Sequence, residues 1–256
     1  MARLERPDGC GLYYEVHGDP RRSPLVLLEG LGGDVAGWAS SLPLLAAELF
    51  VVAYDLRGNG GSDPPTGPLE MGTFIEDTVA LLDELGVERA HVLGISLGGM
   101  VAQELALGHP ERVRALVLGA THAGGHHVIP SAYRAPKGDP SLALVSEGFA
   151  AEHPQQLRER WRGRRRAGVP GAARRQREAI RGFDTYDRLP RITAPTLVIH
   201  GTGDRMIDSR NAEVLASRIA GAELVLLKGA GHVFHWEQPE RVDMVVLDFL
   251  RRHRDA

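Results

Sequence analysis

Ser96 stands in the run Gly94-Ile95-Ser96-Leu97-Gly98-Gly99, with a glycine two residues away on either side. A nucleophile held on a sharp turn between a strand and a helix needs that spacing, because side chains at the flanking positions would collide with neighbouring backbone. A serine hydroxyl attacks poorly at neutral pH, so it calls for a histidine base and a carboxylate that orients the base. His232, in Gly229-Ala230-Gly231-His232, is the candidate base, and Asp204, in His200-Gly201-Thr202-Gly203-Asp204, is the candidate carboxylate. Asp208 is the rival carboxylate, with capping of the following helix as its other reading. The backbone N–H of Leu97 opens the helix after the serine, where an oxyanion would meet both a donor and the positive end of the helix dipole.

Such residues work together only if several strand ends meet at one edge of a sheet. Pro24 to Glu29, Phe50 to Asp55, His91 to Ile95, Val113 to Gly119, Thr196 to His200 and Ala222 to Leu227 are short apolar runs without strict alternation, as expected of strands buried on both faces. Between them lie helical patterns at Thr73 to Leu85 (opened by a capping-box spacing, Thr73 and Glu76), Leu97 to Leu107, Ser209 to Ala220 and Pro239 to His253. The alternation predicts an α/β fold with a doubly wound, mostly parallel sheet. Leu4 to Val16, turning at Asp8-Gly9, predicts an antiparallel hairpin at its edge. The whole chain, 1–256, then reads as one domain. Ser96, Asp204 and His232 each follow a strand, in the chain order Ser, Asp, His that such sheets use.

Residues 122–190 interrupt the alternation with no convincing strand, and a structureless loop of that length is improbable in a compact domain, so a helical cap insertion is expected. Between Gln156 and Arg181 it carries ten arginines against two glutamates. A solvated helical face accounts for that run; a positive rim for anionic substrates and a partner-binding surface are the alternatives.

These motifs resemble the α/β-hydrolase superfamily from the first hairpin to the last helix. The segments that carry the resemblance are the turn around Ser96, Asp55-x-Arg57-Gly58-x-Gly60-x-Ser62, HGTGD ending at Asp204, and GHVFHWEQPE beginning just before His232. YDLRGNGGSDPP and GISLGGMVAQELALGHPERV look most like small bacterial esterases, cofactor-free perhydrolases and 3-oxoadipate enol-lactonases. The resemblance implies a cofactor-free serine hydrolase acting on a small-molecule carboxylic ester or lactone through a Ser-His-Asp triad. Its alternatives are a C–C bond hydrolase or enol-lactonase taking an anionic ring-cleavage product, and a hydrolase-derived small-molecule receptor with slow turnover.

The resemblance also places the second oxyanion donor, the N–H of Leu31, in Glu29-Gly30-Leu31-Gly32-Gly33, where the family usually begins with His-Gly. Glu29 in place of that histidine would oppose a developing negative charge unless neutralised. Arg57 is its expected partner in a pair that shapes the loop; contact with substrate or proton transfer is the other reading of Glu29. Gly30, His122 and Val233 are expected to line the pocket or shape its loops. His122, His126 and His127 have a spacing that suggests a metal, yet no cysteine or carboxylate cluster accompanies them, so pocket or loop roles are preferred and no metal is expected. Phe234 and Trp236 read as packing for the last helix.

Composition bounds the rest. With 30 basic and 33 acidic side chains among 256 residues the net charge is −3, without the excess expected of a nucleic-acid binder. No apolar run approaches the roughly 20 residues of a membrane span, and Met1 to Cys10 lacks a signal-peptide pattern, so a cytoplasmic protein without membrane partner is expected. The single cysteine, Cys10, fits a reducing compartment. The glycine-rich run after Glu29 lacks a P-loop lysine, so no nucleotide is expected. Either a monomer or a homo-oligomer is compatible with the sequence.

Overall fold

A computed structural model of the chain describes residues 2–65, 67–133, 140–159 and 171–254. Eight strands form one sheet: β1 (Ala2–Glu5), β2 (Gly11–His17), β3 (Pro24–Leu28), β4 (Phe50–Tyr54), β5 (Ala90–Ile95), β6 (Val113–Gly119), β7 (Thr196–Gly201) and β8 (Glu223–Leu227). Their spatial order is β1-β2-β4-β3-β5-β6-β7-β8. The first two strands form the expected hairpin, antiparallel to each other and to β4, and every later pairing is parallel. Gly9 turns the hairpin at φ 79°, a backbone state that suits glycine.

Helices α1 (Leu42–Ala46), α2 (Met71–Glu84), α3 (Leu97–Gly108), α4 (Glu147–Glu152), α5 (Ala172–Ala179), α6 (Arg210–Arg218), α7 (Phe234–Glu237) and α8 (Pro239–Arg252) cover the sheet and the β6–β7 crossover. The period of two along β3 divides the core. Val26 and Leu28 pack with Phe74 of α2, Met100 and Val101 of α3 and Leu215 of α6. Leu25 and Leu27 join Leu45 of α1 and Val242, Val246 and Leu250 of α8 on the other face. Each leucine buried this way contributes roughly 1.5–3 kcal/mol. A sheet covered on both faces is what lets its strands read as uninterrupted apolar runs.

Two expectations change. Helix α2 begins at Met71 with Glu70 as its N-cap, a turn earlier than the capping-box spacing indicated, so Thr73 and Glu76 lie inside the helix. Strand β8 is not buried on both faces: as the outer strand it exposes Leu224 and Leu226 at 38% and 37%. The crossover from β6 to β7 holds short helices among its described residues, and much of its arginine-rich stretch, 160–170, lies outside them. Among the described residues no helix is long and apolar enough to cross a membrane.

Candidate active site

Ser96 joins the end of β5 to α3 with φ 57° and ψ −115°, a strained backbone state for a residue with a side chain. The strain persists because the surroundings leave no alternative. A Cβ on Gly94 would strike the carbonyl of Gly98, and one on Gly98 would strike the carbonyl of Leu28. The turn is also pinned by hydrogen bonds, Ser96 N–H to the Gly119 carbonyl at 2.9 Å and the Thr121 hydroxyl to the Ser96 carbonyl at 2.9 Å. Leu97, at the first position of α3, carries an N–H that no earlier turn of the helix can accept.

His232 lies in the loop after β8, 3% exposed, and its Nδ1 is 2.8 Å from Asp204 Oδ2. With Nδ1–H donating to the carboxylate, Nε2 is the basic nitrogen. Asp204 is gripped on both oxygens: Oδ1 accepts the backbone N–H groups of Met206 and Ile207 at 2.8 and 2.9 Å, and Oδ2 also lies 2.9 Å from His200 Nε2. His200 Nε2 is also 3.1 Å from the Ile207 carbonyl, so facing two acceptors it carries the proton and donates to both. Burial acts to raise the Asp204 pKa, but the charge and hydrogen bonds of His232 and His200 outweigh it and hold the carboxyl well below the ordinary range. Asp208 instead pairs with Arg210 at the start of α6. His200 had not been singled out from the sequence. Its signal was the four-residue spacing to Asp204 across a glycine turn, hidden because His200 also ends a buried strand.

The loop after β3 lies against Ser96, since a Cβ on Gly30 would come within 3.1 Å of Ser96 Cβ. Glu29 is 2% exposed and does not meet Arg57. Its Oε1 is 3.0 Å from His235 Nε2 and its Oε2 accepts the Gly30 N–H at 2.9 Å, while Gly33 and Gly37 crowd the carboxylate so closely that neither could carry a Cβ. Arg57 turns the other way, donating to both oxygens of Asp77 at 2.6 and 2.8 Å and to Asp8. The guanidinium therefore braces the hairpin against α2, and His235, not Arg57, is the side chain that meets the loop glutamate. Gln176 of α5 holds the same loop from above, accepting the Gly32 N–H at 3.2 Å and donating to the Arg57 carbonyl and Asn59 at 3.0 Å each.

Glu29, Gly30, Leu31, Ser96, Leu97, His122, His232 and Val233 share one cavity of about 270 Å³, completed by apolar side chains such as Met100, Leu144, Ile180 and Ile207 and by Arg177. Burial pushes the His122 imidazole down to about 4, with the charges of His200 and His232 acting the same way. His126 and His127 meet with tilted rings, and His127 stacks on Tyr186 with ring centres 3.4 Å apart. Among the described residues no group of three or more His, Cys, Asp or Glu side chains is placed to hold a metal. Phe234 packs into the core with α8, while Trp236 joins a smaller cluster with Leu144 and Val233 beside the cavity.

A family model for the alpha/beta hydrolase fold matches residues 23–239. The chain belongs to the α/β-hydrolase family. A candidate carbamate hydrolase, RutD, of Caulobacter sp. (strain K31) is 34% identical over 94% of this chain and 96% of its own length. A solved hydrolase of Pseudomonas aeruginosa is 34% identical with a TM-score of 0.85, covering 97% of each chain. The enol-lactonase of Burkholderia xenovorans LB400 is 29% identical with a TM-score of 0.84, over 98% of this chain and all of that one. The eight-stranded sheet with its antiparallel edge hairpin is thus the α/β-hydrolase sheet, and the Ser96 elbow and His232 loop stand where its strands end.

Proposed function

We propose that this α/β hydrolase cleaves a carboxylic ester or lactone of a small molecule through an acyl-enzyme on Ser96. The observation that carries the reading is a serine on a strained strand-to-helix turn in the same cavity as a histidine whose Nδ1 is held by a buried carboxylate. Similarity to the enol-lactonase adds weight to a cyclic or linear ester.

Ser96 Oγ attacks the carbonyl carbon as His232 Nε2 takes the hydroxyl proton. The carbonyl oxygen becomes an oxyanion facing the N–H groups of Leu97 and Leu31. As the intermediate collapses, the C–O bond breaks and the imidazolium returns its proton to the departing alkoxide. Water then gives a proton to His232, attacks the acyl carbon and releases the acid, and Ser96 recovers its proton. Asp204 keeps the imidazole oriented throughout, and the 122–190 segment serves as the cap that closes the pocket.

Hydrolysis of p-nitrophenyl acetate, butyrate and octanoate by wild type and Ser96→Ala tests this. Turnover lost by several orders of magnitude in the variant is the expected result; an unchanged rate overturns the assignment.

A further inference from the structure

The polar lining of the cavity offers hydrogen-bond donors besides the backbone N–H groups beside Ser96. Among the described residues Glu29 is the one carboxylate in the lining, and its oxygens are occupied by His235 and the Gly30 N–H. His122 accepts the Gly124 N–H on Nδ1 at 3.0 Å, which leaves the ring proton on Nε2. Among the described residues that Nε2–H has no protein acceptor. Its low pKa keeps the ring neutral, so it is a fixed donor rather than a second base. Arg177, an exposed side chain on α5, borders the same cavity, and among the described residues no carboxylate pairs with it.

We infer that the cavity holds a carboxylate of the substrate, separate from the ester being cleaved, between His122 Nε2–H and the Arg177 guanidinium. This rests on the ester or lactone reading above and narrows it to substrates carrying an acid group. Apart from Ser96 and His232, the remaining side chains of the lining are apolar, which suits the short carbon skeleton joining the two functions. A planar guanidinium and an N–H donor suit the in-plane lone pairs of a carboxylate, whereas a neutral chain end would leave both unpaired when water is expelled.

The test compares kcat/KM for two substrate pairs by pH-stat: monomethyl glutarate against methyl pentanoate, which puts the carboxylate on the acyl side, and 4-acetoxybutanoate against butyl acetate, which puts it on the alcohol side. Wild type is expected to favour the acid in one pair by about tenfold or more, and Arg177→Gln to reduce that preference at least tenfold. His122→Phe should reduce it too, with partial recovery in His122→Gln. A direct reading of binding uses Ser96→Ala, which leaves turnover aside: glutarate should raise its Tm more than it raises that of Ser96→Ala/Arg177→Gln. Neutral preference in both pairs, or equal glutarate effects on the two proteins, overturns the subsite. Loss of all ester turnover in wild type, with glutarate still discriminating the variants, would reject the ester reading and leave the subsite standing.

Discussion

Replacing His200 by phenylalanine removes one of the donors on Asp204 while keeping a ring of similar shape in a fully buried site. The ring's other nitrogen, Nδ1, has no partner, so the loss is confined to the Nε2–H shared between Asp204 and the Ile207 carbonyl. A hydrogen bond to a charged group contributes about 1.5–3 kcal/mol, and sharing it between two acceptors leaves roughly 1 kcal/mol on the carboxylate. Negative charge then concentrates on Oδ2, the oxygen that also binds His232. The contact between His232 Nδ1–H and that oxygen is strengthened, which favours the protonated ring and moves the acid limb of activity to higher pH. At about 1.4 kcal/mol per unit, the acid limb of kcat/KM should move up by roughly half to one unit. Glu237, His122 and the Asp208–Arg210 pair also face this region and are the same in both proteins, so the difference isolates His200. The assay is ester hydrolysis from pH 5 to 9, with the His232 titration followed by NMR in the Ser96→Ala background. His200→Gln, which keeps an N–H, should restore most of the wild-type profile. A lower Tm with an unmoved acid limb would refute the argument and reduce His200 to packing.

Glu29→Gln should destabilise the protein by about 1–3 kcal/mol, because an amide that accepts from His235 turns its NH2 toward the Gly30 N–H. Thermal unfolding measures it, and a Tm within error of wild type would sink the role assigned to the pair. His91 is buried with both ring nitrogens unpartnered, and burial pushes its pKa down to about 4. The unfolded chain therefore takes up a proton below about 6.5 that the fold refuses, and stability is lost as pH falls from there to about 4, by at most ~3 kcal/mol. His91→Phe should lose less Tm between pH 7 and 4.5 than wild type does, even though Asp55 and Asp243, raised to about 6 by burial, shift stability the opposite way in both proteins. Parallel Tm profiles would show that His91 is protonated without penalty.

The sequence could be read furthest where sterics act between near neighbours. The Ser96 elbow is dictated by glycines within two residues, and the parallel strands by runs that tolerate apolar contact on both faces. The reading failed where partners come from distant positions or from context. Glu29 and His235 are 206 positions apart, and nothing local distinguishes His235 from Arg57 as the partner of Glu29. Arg57 meets Asp77 across 20 positions and two elements, and no local pattern marks that pairing either. Strand β8 carries the same residue types as a central strand, and only the sheet order makes it an edge. The 122–190 segment reads as an interruption of the alternation, but what Leu144, Arg177 and Ile180 contribute to the cavity depends on their tertiary placement.

Gln176 joins the segment between β6 and β7 to the loop beside the nucleophile, and Arg177 follows it on the same helix. The proposed carboxylate subsite and the proposed oxyanion loop are therefore mechanically one part. A chimaera that imports a related cap to change substrate range would withdraw the brace from Gly32 unless it brings an equivalent amide. Diversification of this enzyme is then easier by point changes at Ile180 or Leu144, which line the cavity without holding that loop, than by exchange of the whole segment.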